Sequence, residues 1–443
     1  MSEQSSMGRN LTKLLMASEA FFGNFYIAVT RGLFVPMLTY SGYSLDKVSQ
    51  VSFFAALMNV IISYLIYNNP DMFSRNVRLK LLSIHASERV LFALLPFLIG
   101  SPDALVLVYS VALTVTIPVN VLLNVALMSV FVLDEFVEIN VLRSAVGAAA
   151  SLLGSLYSMV LTAFLEPPTS YYVAYVSSSL IGLIATLSLA YYTMPADFTS
   201  LSKTTREEAE IRKVNTFLML VMMIGGGNLI GLAWPQLLKS LDTPLYVTIL
   251  LNVAGNVGGV IGPYLWKGYR RYVLAMTFNI LFTSSIPLLR HSWMHVGVSA
   301  ALSATFIGAN LIASSIYSRY VESLGVVKAS TFLSASNGVG LFIASVLGKY
   351  LPGSPPLIFS VATMLKFLGL LVVALAIPET SIVPPRTAYG YGKLIYSASM
   401  LGYTFTVETS RKILKVFIQI IALAFLLTLI LLIYELLAVL SSA

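Results

Sequence analysis

Met194-Pro-Ala-Asp-Phe-Thr-Ser-Leu-Ser-Lys203-Thr-Thr-Arg206-Glu207-Glu208-Ala-Glu210-Ile-Arg212-Lys213 is the longest polar interruption in the chain before its C-terminal region. Outward from it in both directions the sequence is almost wholly apolar. Punctuation at Pro, Gly and charge clusters leaves six apolar runs before it, near 12–38, 48–67, 80–99, 103–131, 142–165 and 171–193. Six more follow, near 215–238, 245–266, 272–289, 293–317, 329–350 and 355–377. A helix needs about 20 residues to cross the hydrocarbon, so each run predicts one span. The polar stretch then becomes a linker between two sets of six. After Pro378 a polar, tyrosine-rich segment reaches Lys412, and a very apolar run near 414–438 predicts a thirteenth span.

Composition agrees with lipid as the main solvent. Of 443 residues, 57% are hydrophobic and only 10% charged, and the mean hydropathy is +0.85, which excludes a water-facing exterior. The net charge of +8 sits in short segments between apolar runs, not in stripes interleaved with aromatics, so it reads as topogenic and not as a nucleic-acid footprint. There is no cysteine, and histidine occurs only at 85, 291 and 295. That leaves no disulfides, thiolate sites or cysteine nucleophiles, and no histidine-rich metal centre is expected. The first apolar run lacks a small-residue cleavage site and reads as an uncleaved span.

Cation placement predicts orientation. Under strict alternation, Arg9, Lys13, Arg75, Arg78, Lys80, Arg143, Lys203, Arg206, Arg212, Lys213, Lys267, Arg270, Arg271, Arg319, Lys328 and the stretch from Arg386 to Lys415 share one side. Only Lys47, Lys239, Arg290 and Lys349 lie opposite. The expectation is a multi-pass plasma-membrane protein with a cytoplasmic N-terminus and, after thirteen spans, a C-terminus outside.

The two sets carry weak similarity. Leu33-Phe-Val-Pro36-Met-Leu38 is followed by Leu45-Asp46, and Leu232-Ala-Trp-Pro235-Gln-Leu237 by Leu241-Asp242; each has a Gly-Asn pair upstream, Gly23-Asn24 and Gly227-Asn228. Arg143 with Ser151 and Gly154 is echoed by Lys328 with Ser336 and Gly340. Both matches tie positions six spans apart, as duplication of a six-helix unit requires. Gly262-Pro-Tyr-Leu-Trp-Lys267-Gly-Tyr-Arg270-Arg271, between the eighth and ninth runs, is similar to the glycine and basic signature of the major facilitator superfamily. The first half offers Asp71, Arg75, Arg78 and Lys80 there without the glycine. Ile377-Pro378-Glu379-Thr380 is similar to the Pro-Glu-Thr run that ends some sugar carriers in that family.

Over about residues 12–378 the chain thus resembles a major facilitator. The resemblance implies an all-α polytopic membrane protein of two six-helix bundles, here with an extra thirteenth helix. Its parts would be residues 1–193, a cytoplasmic linker 194–213, a second bundle 214–378, and a cytoplasmic segment plus added span over 379–443. It also implies a central cavity lined by the first, fourth, seventh and tenth helices.

Charges within hydrocarbon are costly and must be paired, wet or snorkelling. Glu19 and Arg31 lie in the first span, Glu88 and Arg89 in the third, Lys366 in the twelfth and Glu435 in the thirteenth. Arg31 suits an anionic group through bidentate hydrogen bonds; the alternative is snorkelling to the interface. Glu19 and Glu88 are candidate proton carriers, since burial favours a neutral carboxyl; pairing of Glu19 with Arg89 as a structural bridge is the other reading. No acid lies within a span of the second half, so proton coupling is expected in the first. Lys366, in an expected outer helix, reads as snorkelling or helix-bridging.

Polar amides and rings on the expected lining helices, Asn24, Tyr26, Tyr109, Asn120, Asn124, Asn228, Trp234, Asn310 and Tyr317, suit a small organic solute, while interhelical hydrogen bonding is the alternative for each asparagine. Gly225-Gly-Gly227 permits close approach or local unwinding, and Gly255, Gly258, Gly259 and Gly262 read as a packing surface. No phosphate-binding loop, His-Glu-x-x-His or metal-spaced carboxylate set occurs. The expected function is a secondary active transporter without cofactor or metal, moving a small organic solute, with some preference for an anion, and coupled to protons through Glu19 or Glu88. The competing expectation is a non-transporting scaffold that docks a protein partner through residues 379–443.

Overall fold

The structure is a computed structural model and describes residues 2–73, 76–130, 133–191, 207–266, 268–324, 326–351 and 354–399. The expected thirteenth span and most of the linker lie outside the described residues. Twelve long helices occur among the described residues up to Ala376: α1 (Ser2–Tyr40), α2 (Leu45–Asn68), α3 (Val77–Leu94), α4 (Pro102–Val130), α5 (Leu133–Phe164), α6 (Thr169–Tyr191), α7 (Glu207–Ser240), α8 (Leu245–Leu265), α9 (Tyr269–Ser285), α10 (Ser292–Leu324), α11 (Val326–Tyr350) and α12 (Pro355–Ala376). No strand occurs among the described residues. Eleven of these helices are long and apolar enough to cross a membrane. The twelfth, α9, has 17 residues and continues into a 3-10 turn, Ile286–Leu288.

Each of the first twelve expected runs falls on a helix among the described residues, but α1, α5, α7 and α10 extend well past the apolar stretch. All four extensions point to the end of the molecule where α6 leads into α7, here called the linker end. Hydropathy sees only the part of a helix in hydrocarbon; Glu, Lys and Arg propagate a helix just as well once it enters water. The opposite end, with the short α1–α2 and α7–α8 connections, is called the turn end. Leu107, Leu180, Leu187, Leu281 and Met364 are exposed on the surface, a liability in water but the natural contact for acyl chains. The chain is therefore a multi-pass membrane protein.

In the first set α1 packs on α5 and α6, while α4 packs on α2 and α3; in the second α7 packs on α11 and α12, while α10 packs on α8 and α9. The sets join along two lateral seams, α2 with α11 and α5 with α8. The echo between halves seen in the sequence has a structural counterpart. A Cβ at Gly154 would lie 2.6 Å from the Phe25 carbonyl oxygen, and one at Gly340 would lie 3.0 Å from the Gly225 nitrogen. Gly154 thus seats α5 on α1 as Gly340 seats α11 on α7. Both α1 and α7 contain a proline in their last turns, Pro36 and Pro235. Both then end on a left-handed residue, Gly42 (φ 94°) and Asp242 (φ 52°). The next amide returns to the helix in each case, Tyr43 to the Leu38 carbonyl and Thr243 to the Leu238 carbonyl.

The α2–α3 and α8–α9 connections match as well. Gly268 (φ 87°) precedes α9, and Asn76 (φ 52°) precedes α3. Asparagine is among the few residues other than glycine that take this conformation readily, so the first half keeps the backbone geometry without the glycine. After α12 a further helix, 385–399, rests on the bundle through Ala388 and Gly392. A Cβ on Gly392 would meet Asn215 and the Ala376 carbonyl, whereas Tyr391 and Leu394 on this helix are exposed.

Candidate binding cavity

Between the two sets lies a cavity of about 1070 Å³, large enough for a small organic molecule with water. Its wall includes Arg31 and Pro36 of α1, Tyr109 of α4, Asn228 and Trp234 of α7, and Asn310 of α10. It also takes in residues of α2, α5, α8, α9, α11 and α12, so the lining is broader than the four helices expected.

The turn end of the cavity is sealed by contacts between halves. Tyr40 donates to the Thr243 carbonyl (2.5 Å) and shares a hydrogen bond with the Thr248 hydroxyl (2.8 Å). Gln236 donates to Thr39 Oγ1 (3.0 Å) and to the Tyr43 carbonyl (2.8 Å), and Lys239 to the Thr39 carbonyl (2.7 Å). Pro235 removes one backbone bond beside this cluster. Deeper, Asn252 of α8 donates to the Gly32 carbonyl (2.9 Å), and Asn256 donates to Ser155 Oγ (2.8 Å) and to the Ser151 carbonyl (3.1 Å). At the linker end Asn124 donates to Ser330 Oγ (3.1 Å), and the Lys328 ammonium lies 5.6 Å from the Tyr67 ring centre.

Arg31 anchors the first-half wall. Its Nη2 donates to Glu88 Oε1 at 3.0 Å while its side chain stays one-third exposed (33%) towards the cavity. Its Nε is buried with no hydrogen-bond partner. Phe92 lies under the guanidinium at 5.8 Å, and Phe34 stacks on Tyr109 at 3.8 Å, giving Arg31 an aromatic surround. Glu88 bridges onward: its Oε2 accepts from Arg89 at 2.7 Å, and Arg89 lies 4.8 Å from the Tyr26 ring centre.

Glu19 sits 12 residues before Arg31 on α1, about 18 Å along the axis at 1.5 Å per residue. It pairs with Arg143 of α5 at 2.6 Å and faces His85 Nε2 at 3.8 Å. Arg89, the partner the sequence offered, binds Glu88 instead; α5 supplies the cation for Glu19. The repeated Arg143 position thus has an electrostatic role invisible to periodicity. His85 completes the cluster through a hydrogen bond between its Nδ1 and Thr186 Oγ1 at 2.7 Å.

Of the residues expected to bind solute, Arg31, Tyr109, Asn228, Trp234 and Asn310 share the cavity. Trp234 Nε1 is held by His295 Nδ1 at 2.9 Å. The others lie elsewhere. Asn24 donates to the Ala20 carbonyl and faces Gly147 of α5. Tyr26 is fully buried with its hydroxyl on the Glu88 carbonyl (3.3 Å). Asn120 is exposed and away from the wall, and Asn124 serves the α4–α11 contact already described. The side chain of Tyr317 is outside the described residues.

Sequence reasoning missed Asn252, Asn256, Asn279 and Lys366 as wall residues, because it confined the lining to four helices. One signal was present. Lys366 shares a face of α12 with buried Ala362, Gly369, Val373 and Ala376, a small-residue face that predicts burial against helices, not snorkelling to lipid. The triple glycine explains how the lysine reaches the centre. A Cβ at Gly226 would lie 2.7 Å from Lys366 Cγ, while Gly225 faces Gly340 of α11 and Gly227 faces Phe306 of α10. Each glycine serves a different neighbour of α7.

Two packed six-helix sets around a central cavity of mixed polar and apolar lining define an all-α polytopic membrane protein with the major facilitator fold. Solved structures agree: the nucleoside transporter NupG aligns over 82% of this chain and 98% of that chain, with TM-score 0.58 and 13% identity, and a mutant of it gives TM-score 0.59 at 12% identity. A bacterial homologue of the iron transporter ferroportin, in an inward-facing state, aligns over 82% of this chain and 97% of that chain, with TM-score 0.60 and 13% identity. No family model matches the sequence, and neither does any curated protein.

Proposed function

We propose that the chain is a secondary active transporter that carries a small organic anion across the membrane by alternating access, and that it is not an enzyme. The observation that carries this reading is Arg31: a guanidinium with a buried, unpartnered Nε, facing a cavity of mixed polar and apolar lining between two sets of helices sealed together at the turn end. Alternating access needs such a site at the junction, with the seal exchanged between ends. Tyr109, Asn228, Trp234 and Asn310 would orient the solute and cover its apolar faces. The positive excess at the linker end supports a cytoplasmic N-terminus in a plasma membrane.

Glu88 is better placed than Glu19 for proton coupling. An anion arriving at Arg31 would compete with Glu88 for the same guanidinium while Arg89 stays on Glu88 Oε2, so Glu88 is the acid whose ion pairing changes with the solute. Solute and proton would then load together. Glu19, held by Arg143 away from the cavity wall, has no such link to the solute.

Vesicles reconstituted with the protein test the reading. Uptake of organic anions is expected to fall at least tenfold in Arg31→Ala, the order of effect for one lost charge-assisted bidentate contact (~1.4 kcal/mol or more). Glu88 keeps Arg89 in that variant, so folding is expected to survive. Undiminished uptake by a folded Arg31→Ala protein would remove Arg31 from the solute site.

A further inference from the structure

Lys366 is a buried cation of the second half, on the cavity wall, that the proposed function leaves unused. It is the central residue of α12, only 2% exposed. Its Nζ donates to Asn279 Oδ1 and to Thr283 Oγ1, both at 2.8 Å. Asn279 is itself fixed, its Nδ2 donating to the Leu302 carbonyl (2.7 Å) and to Thr305 Oγ1 (3.0 Å). Because Asn279 sits midway along α9, the lysine is tethered at mid-depth and does not snorkel to an interface. Both partners are neutral, and no carboxylate pairs with Lys366 among the described residues. An ammonium has three donors, and these contacts use two. Lys366 and Asn279 both line the cavity.

The buried charge cluster of the first half is also positive on balance. Arg31, Arg89 and Arg143 face only two carboxylates, Glu19 and Glu88. Each half therefore presents one unbalanced cation to the cavity, Arg31 from α1 and Lys366 from α12. A lone charged lysine at a helix centre is costly to insert, a cost that packing alone does not require, since methionine would fill the same volume.

We propose that Arg31 and Lys366 form a two-pronged anion site, one prong from each half, whose solute is a small organic molecule bearing two negative charges. This rests on the transporter reading and names its substrate class. Binding both prongs would draw the halves together on the solute, so a dianion would report occupancy to both halves at once, whereas a monoanion would satisfy only one.

The test uses full-length protein in vesicles with succinate, lactate and uridine as dianionic, monoanionic and neutral probes. Thermal stabilisation by a wider panel sorted by charge is measured in parallel. Wild type is expected to favour dianions in both assays. Lys366→Gln keeps a donor for Asn279 but loses the charge, and the ratio of dianion to monoanion uptake should fall about tenfold or more. Lys366→Arg should restore much of that ratio, which a purely structural lysine would not show. Should Lys366→Gln misfold, Lys366→Arg against wild type still carries the comparison through its charge preference. An unchanged ratio in folded Lys366→Gln, or preference of the wild type for neutral or monoanionic solutes, overturns the two-pronged site and leaves the carrier intact. Failure of the wild type to move any solute, with no stabilisation by any class, overturns both.

Discussion

At Glu88 two guanidiniums meet one carboxylate, and that single side chain ties α3 to the cavity wall through Arg31. Removing it strands two cations in a low-dielectric interior, a loss of about 3–5 kcal/mol for a buried pair stripped of one member. Glu88→Ala is therefore expected to lower the melting temperature in detergent markedly, and Glu88→Gln less, because the one amide oxygen still accepts from one of the arginines. Equal stability of Glu88→Ala and wild type would show that the bridge does not hold the fold. The residue scale is also where sequence reading was least complete. Arg31, Glu88 and Glu19 stood out because charge is rare in hydrocarbon, but their partners did not. Arg143 lies near an interface and looked topogenic, and only the three-dimensional packing of α5 on α1 brings it to Glu19.

Among the elements, α1 and α7 carry the seal, each ending in a proline, a left-handed residue and a return hydrogen bond. Tyr40 and Lys239 bridge these two ends directly. Replacing them by Phe and Ala removes three hydrogen bonds worth roughly 0.5–1.5 kcal/mol each, enough to shift a two-state opening about tenfold or more. The chain has no cysteine, so Ser303→Cys gives one reporter on the cavity wall. Its labelling by an impermeant maleimide added at the turn end should speed up by that factor in the double variant. An unchanged rate would mean that these contacts are not what closes that end. The helices themselves were legible from apolar runs because the bilayer fixes their length. Their polar extensions were not, since no such length rule operates in water. The α2–α3 connection was half legible: the missing glycine was plain, while Asn76 as its conformational replacement required the backbone.

For the molecule as a whole, the two sets meet mainly along α2–α11 and α5–α8, seams built from close small-residue contacts such as Gly338 against Asn59. Chains cut between residues 193 and 207 and expressed together are expected to copurify and to retain uptake, because assembly depends on these seams and not on covalent continuity. Fragments that fail to associate would place the stabilising contacts in the linker. The two-part plan was readable from one polar stretch and a faint internal echo. The breadth of the cavity wall was not, since it follows from how far glycine lets α12 approach through α7. That contrast between halves has a mechanical outcome. Both sets use close glycine contacts, but the first adds interlocking buried ion pairs on α1, α3 and α5, whereas in the second the glycine contacts on α7, α8 and α11 leave backbones able to slide. Any bending that accompanies solute passage should therefore concentrate in the second set, with the first behaving as the stiff frame against which it flexes.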